Sequence, residues 1–421
     1  MSEARKSLTA LALVVGGKLA SIAAVFVGSM VMARCGGPAE YGVFATGMAT
    51  ILLLEGMIGS PLDMGAVRFS SLHHDERERT MRFEAMSFHM KLLALALAAT
   101  GMAVWARVSG QGQGLGDLAM LTGVVACLLG ARSVAAGLQI RGKFVAYSAL
   151  DLGQGSLRIA LFLVLAWIGL CRGDWFFAAY GFVSLLVLAT GLAALKQGYL
   201  LRSWPGHVDR RRMFKYCGMT AGVVCLGTLT GRGDILFLSH WHGPDQVANY
   251  GVASQLFLLM SQLSLYSSVV TQPRVLAWAR SGSLRRVFAV NLIVVGLLLS
   301  PMIMLYLNPG WLEGLIGMVF GEDYRPAASA FRVLMFAGAA DLVLVPVLMV
   351  YVLQVYPAWA LGVEVLATTL FVTVAIFFMP CGTAAASGVA MAWLAVALRG
   401  FKLLCYILLF LRGGMPSTRR G

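Results

Sequence analysis

Residues 8–67 read LTALALVVGGKLASIAAVFVGSMVMARCGGPAEYGVFATGMATILLLEGMIGSPLDMGAV. Two apolar runs, 8–33 and 41–67, flank a short stretch holding Gly36, Gly37 and Pro38. At about 1.5 Å of rise per residue, each run is long enough to cross a hydrocarbon layer of about 30 Å. Gly-Pro interrupts a helix and sets a tight turn. The stretch therefore predicts a hairpin of two membrane-spanning helices. A cleaved leader is not expected here. The first run is too long for one, contains Lys18, and continues into ARCGGPAEYG rather than a small-residue cleavage site.

Outward from this hairpin the pattern repeats. Further runs lie near 86–107, 118–140, 145–170 and 174–196, then 214–240, 246–272, 287–307, 328–352, 358–379 and 384–411. The expectation is an all-α polytopic membrane protein with twelve transmembrane helices. Composition agrees: of 421 residues 59% are hydrophobic and only 12% charged, about half the charge of a soluble protein. Ordinary globular enzymes, disordered chains and nucleic-acid-binding domains are excluded, in spite of a net charge of +14. The seven cysteines (Cys35, Cys127, Cys171, Cys217, Cys225, Cys381 and Cys405) form no CxxC and no Cys/His ligand spacing. They read as small apolar side chains, and no metal is expected.

Basic loops stay on the cytoplasmic side of a membrane. One alternating set of loops holds Arg5, Lys6, Arg68, Arg77, Arg79, Arg82, Lys91, Arg141 and Lys143, followed by Lys196, Arg202, Arg210, Arg211, Arg212 and Lys215. It continues with Arg274, Arg280, Arg285 and Arg286 and ends at Arg412, Arg419 and Arg420. The opposite set holds only Arg34, Arg107, Arg172 and Arg325. Both termini are thus expected in the cytoplasm, with the basic loops also placed to meet anionic membrane lipids. Residues 1–196 form an expected first six-helix bundle and 214–421 a second with a short basic tail. The linker 197–213 contains Pro205 and three consecutive arginines.

The halves echo each other. Gly37-Pro38 and Tyr41-Gly42 open the second run, as Gly243-Pro244 and Tyr250-Gly251 open the eighth. The tyrosines suit a membrane interface. Six runs per half is an even number, so the repeat is parallel, as in transporters built around a central cavity.

Four stretches carry a family resemblance: Ala33–Gly42, Asp63–Phe69, Gly231-Arg232-Gly233-Asp234 with the Gly243-Pro244 turn, and Gly321-Glu322-Asp323-Tyr324-Arg325 with Ala327 and Ala328. In these the sequence resembles the polysaccharide and lipid-linked oligosaccharide flippases (Wzx-type) of the multidrug/oligosaccharidyl-lipid/polysaccharide exporter superfamily. The chain is short for that family, and its seventh helix is unusually glycine-rich. The resemblance implies a V-shaped pair of six-helix bundles around a cavity in a bacterial inner membrane. It also implies transport of a polyprenyl-linked saccharide to the outer leaflet, without enzymatic chemistry or cofactor. Other polysaccharide-assembly membrane proteins are the partners it suggests, and no nucleic acid.

Ionisable groups inside spans cost about 2.5–3.5 kcal/mol each at a helix centre, so each should face a cavity or a partner. Those expected in the spans are Lys18, Glu55, Arg132, Asp151, Arg158, Arg232, Asp234, Arg332, Asp341 and Glu364. Guanidinium matches phosphate oxygens with two parallel hydrogen bonds, which suits a pyrophosphate substrate. Tyr147, Asp151, Gln154 and Arg158 fall on one helical face. They read either as a cavity wall or as a buried polar seam in which Asp151 neutralises Arg158. Gln255 and Gln262 form a neutral counterpart in the eighth run. Lys18 and Arg132 are further cavity candidates, although Arg132 also sits where it can snorkel toward the cytoplasm.

Asp234, Asp341 and Glu364 are candidates for coupling to a proton or sodium ion, or for structural pairing; coupling to the membrane potential is the third route. Arg232 and Asp234 lie two residues apart and point to opposite sides of a regular helix. Packing of the Gly227–Gly231 row places Asp234 against protein and Arg232 toward the cavity. A cation antiporter of the same superfamily and a membrane glycan polymerase or ligase are the competing functions. The first should favour acids over bases in its cavity, and the second generally needs a longer outer segment than this chain has.

Overall fold

The computed structural model describes residues 3–72, 76–108, 115–193, 207–271, 284–349, 357–378 and 384–412, with no strand among them. The helices are α1 (Glu3–Leu72), α2 (Arg77–Val108), α3 (Leu115–Ile140), α4 (Phe144–Trp167), α5 (Gly173–Ala193) and α6 (His207–Trp241). There follow α7 (Pro244–Thr271), α8 (Leu284–Leu307), the short α9 (Pro309–Phe320) and α10 (Ala327–Val343), which continues as a π-helical turn over Leu344–Met349. The chain closes with α11 (Pro357–Phe378) and α12 (Ala384–Arg412).

Among the described residues, eight helical stretches are long and apolar enough to cross a membrane. Their outward faces carry Leu93, Leu97, Phe182, Leu366, Phe377 and Leu408. Water would penalise such surface, but hydrocarbon does not. The helix also satisfies every backbone group internally, as a bilayer demands. This is a multi-pass membrane protein.

The decisive hairpin is one continuous element. Helix α1 covers both expected arms and breaks between them at Gly37, with φ 74°. That left-handed backbone is open to glycine at little cost. The echoing turn is built differently: α6 ends at Trp241, α7 starts at Pro244, and Gly243 has no positive φ. Tyr41 and Tyr250 are both buried against protein, at 2% and 3% exposure.

The chain divides into two compact units, residues 1–228 and 229–421. Of the expected linker, 197–206 lie outside the described residues and 207–213 form the first turns of α6. In the first unit α1 packs along α4, α3 on α5, and α2 against both α1 and α3. Phe44 stacks on Phe177 with ring centroids 5.7 Å apart, and Phe162 on Phe176 at 4.8 Å. Gly65, inside the Asp63–Phe69 motif, lets α1 approach α6 closely: a Cβ there would collide with the sulfur of Cys217. Phe69, Phe83, Met86, Met213 and Cys217 close the core around that contact.

In the second unit α10 packs on α7 and α12, and α11 on α12. The Gly321–Arg325 motif is the turn into α10. Gly321 adopts φ 119°, Tyr324 is buried, and the Arg325 Nε lies 2.6 Å from Glu322.

Candidate functional site

In the first unit, three helices converge on a charged cluster inside the apolar stretches. Helix α1 contributes Glu55 and Asp63, α2 contributes Lys91, and α3 contributes Arg132 and Ser133. The Lys91 ammonium is paired with Asp63 and donates to the Ser133 hydroxyl at 2.9 Å. Arg132 donates through Nη1 to Glu55 at 2.7 Å, and its Nε lies 3.4 Å from the second Asp63 oxygen. Asp63 thus joins both cations.

Two acids against two bases leave the cluster formally neutral, which lowers the cost of placing it among apolar helices. Its members differ in access. Lys91 is fully buried, with 0% of its side chain exposed, whereas Arg132 retains 36%. Arg132 is the more exposed cation of this cluster.

The stripe on α4 splits between two environments. Arg158 is buried at 4% exposure, donates to Ser184 of α5 at 3.0 Å, and lies over the Tyr180 ring at 3.6 Å. Gln154 donates to the same hydroxyl at 3.5 Å. Arg158 is therefore held by α5 rather than by Asp151, and its Nε has no hydrogen-bond partner among the described residues. Asp151 is buried while Tyr147 is half-buried. The Lys18 side chain lies outside the described residues.

In the second unit the acids of the apolar helices are partnered. Asp234 accepts from the Tyr250 hydroxyl at 2.6 Å and from the Ile235 backbone N–H at 2.9 Å. Asp341 is 3.0 Å from Arg399 and accepts from Ser261 at 2.9 Å; Arg399 also lies over the Phe257 ring. Glu364 is 2.7 Å from Lys402, which also donates to Thr230 at 3.1 Å. Arg232 is half-buried, as are Gln255 and Gln262, and the Gln255 amide nitrogen lacks a hydrogen-bond partner among the described residues. Arg332 lies over Tyr306 at 4.9 Å.

Four of these ionic residues escape the sequence reading as members of a site: Asp63, Lys91, Arg399 and Lys402. Asp63 enters it only within a motif, and Lys91 only as a loop charge. Yet Lys91 sits inside the run 86–107, and Arg399 and Lys402 inside 384–411. Asp63 likewise sits inside the run 41–67, so a charge count taken strictly over each run finds all four.

Residues 9–276 match a family profile described as polysaccharide biosynthesis protein. The chain belongs to this family.

Solved structures give the same fold. A lipid II flippase, MurJ, in an inward closed conformation matches with a TM-score of 0.73 at 10% identity, over 95% of this chain and 87% of that one. The eukaryotic MATE transporter AtDTX14 matches at 0.60 and 12% identity, over 96% of each chain. A transporter of the multidrug/oligosaccharidyl-lipid/polysaccharide superfamily from Pyrococcus furiosus matches at 0.56 and 16% identity, over 96% of this chain and 94% of that one. No curated protein matches in sequence. This polysaccharide biosynthesis family member thus has the transporter fold of that superfamily.

One consequence concerns the Glu364–Lys402 pair. Both side chains are largely buried, at 3% and 12% exposure. Removing one partner strands the other, at a cost of about 3–5 kcal/mol. Glu364→Gln should lower the amount of folded protein in the membrane, and Glu364→Gln/Lys402→Met should recover part of it. A Glu364→Gln protein that is abundant but transport-dead would instead assign Glu364 to ion coupling.

Proposed function

We propose that the protein is a flippase that carries a polyprenyl-pyrophosphate-linked oligosaccharide from the inner to the outer leaflet of a bacterial cytoplasmic membrane. It works by alternating access, with both termini in the cytoplasm, and supplies O-antigen, exopolysaccharide or capsule synthesis. The observation that carries this reading is the partly exposed Arg132 side chain in the charged cluster among the apolar helices of a polysaccharide biosynthesis family chain. A pyrophosphate needs such a donor: guanidinium hydrogen bonds to phosphate are charge-assisted and directional. That a lipid II flippase shares the fold supports the same class of cargo.

The competing cation antiporter needs an acid free to meet its substrate. Glu55, Asp234, Asp341 and Glu364 each already have a cationic or hydrogen-bonding partner within 3.0 Å. A proton, a sodium ion or the membrane potential supplies the driving force; the potential contributes about 2.3 kcal/mol per charge per 100 mV. Anionic lipids meet the basic loops, and other membrane proteins of polysaccharide assembly are the partners.

Loss of the gene tests this reading. Lipid-linked oligosaccharide should accumulate facing the cytoplasm, and surface glycan should fall. Unchanged surface glycan together with new sensitivity to cationic drugs would favour the antiporter.

A further inference from the structure

Two of the scattered cysteines meet in the first unit. Cys35 stands at the end of the first apolar run, just before the Gly37 break, and is exposed. Cys171 lies in the turn between α4 and α5, which leaves α4 through Gly169 at φ 78°. These two segments are in backbone contact. A Cβ built on Gly36 would lie 3.0 Å from the Cys171 carbonyl oxygen, and the Gly173 N–H donates to the Glu40 carboxylate at 3.1 Å. The two thiols are near enough to interact electrostatically. The structure leaves both as free thiols.

The basic-loop rule places both segments outside, since their stretches carry only Arg34 and Arg172 while the cytoplasmic loops carry the rest. The outside is the oxidising compartment of a bacterial envelope. From contact and location together, we propose that Cys35 and Cys171 form a disulfide that staples the outer end of the first helix to the α4–α5 turn. The inference rests on the orientation given under the proposed function.

The chemistry is thiol–disulfide exchange with an external protein disulfide as oxidant. The Cys35 thiolate attacks one sulfur of that disulfide, and the oxidant's other sulfur leaves as a thiolate. The Cys171 thiolate then attacks Cys35 and expels the second oxidant sulfur. Two thiols lose two electrons and two protons, and the oxidant ends as a dithiol. Burial, with the neighbouring Cys35 thiol, pushes Cys171 up to about 11. Cys35 is the more exposed of the two, so it is the residue that meets the oxidant. The staple joins parts of one unit, so it stiffens the outer rim of that unit.

The test uses the full chain in its own membrane. Cells are quenched in acid, free thiols are blocked under denaturing conditions with a small maleimide, and the protein is then reduced and treated with a polymer-linked maleimide. Two polymer additions are expected for the wild type, and none for Cys35→Ser or Cys171→Ser. Cys381→Ser, which removes the other cysteine expected on the outer side, should keep both additions. Absence of additions in the wild type, or their survival in Cys35→Ser, overturns the proposal. A membrane-impermeant maleimide applied to intact cells after mild reduction separates the two ways to fail. If it reaches Cys35 and the wild type still gains no additions, the disulfide is refuted by itself. If Cys35 is reached only from the cytoplasmic side, the orientation fails, and the proposal with it.

Discussion

Lys91→Met should all but remove folded protein from the membrane. Lys91 is fully buried and holds Asp63, which is itself only 15% exposed. Methionine fills a similar volume but leaves Asp63 facing Arg132 alone, at 3.4 Å. Breaking a buried pair from one side costs about 3–5 kcal/mol, set against a total stability of about 5–15 kcal/mol for a domain. The double variant Lys91→Met/Asp63→Asn removes both charges, leaves Arg132 paired with Glu55, and should recover much of the lost protein. Membrane abundance and the monodispersity of detergent-extracted protein check both variants. Wild-type abundance for Lys91→Met alone would show that the cluster does not hold these helices together.

That pair also marks where the sequence stops being legible. The apolar helices and the Gly37 break follow from apolar run length and from the Gly-Pro signal, and both signals are local. The partner of a charge is not local. Asp63 and Lys91 are 28 residues apart, and Glu364 and Lys402 38. Nothing in periodicity says which face of one helix meets which face of the next. The α4 stripe shows the same limit: its spacing is right, yet it was open to a reading in which Asp151 neutralises Arg158. The structure gives Arg158 to Ser184 and Tyr180 of α5. Residue type suits Tyr250 to an interface but does not reveal that its hydroxyl satisfies a buried Asp234. A buried tyrosine hydroxyl needs such a partner, and only tertiary contact identifies it.

Arg132→Gln should cut export per molecule by about 10- to 100-fold while leaving the protein abundant. Glutamine can still donate to Glu55, so the cluster keeps that hydrogen bond. What is lost is the positive charge and the planar fork that matches a pyrophosphate. Hydrogen bonds to charged groups contribute about 1.5–3 kcal/mol, and 1.4 kcal/mol is tenfold in an equilibrium constant. Arg132→Lys keeps the charge without the fork and should fall between the two. Surface glycan per unit of membrane protein measures the effect. Normal export by Arg132→Gln would reduce Arg132 to a structural partner of Glu55.

Purified protein reconstituted into vesicles with a polyprenyl-pyrophosphate-linked oligosaccharide in the inner leaflet tests the central claim most directly. The quantity to follow is the fraction of saccharide that becomes accessible to an added membrane-impermeant glycosidase. The flippase account predicts protein-dependent exposure of the saccharide, slowed in Arg132→Gln vesicles. Vesicles whose saccharide stays protected, while the same protein moves a cationic dye against a proton gradient, would contradict it.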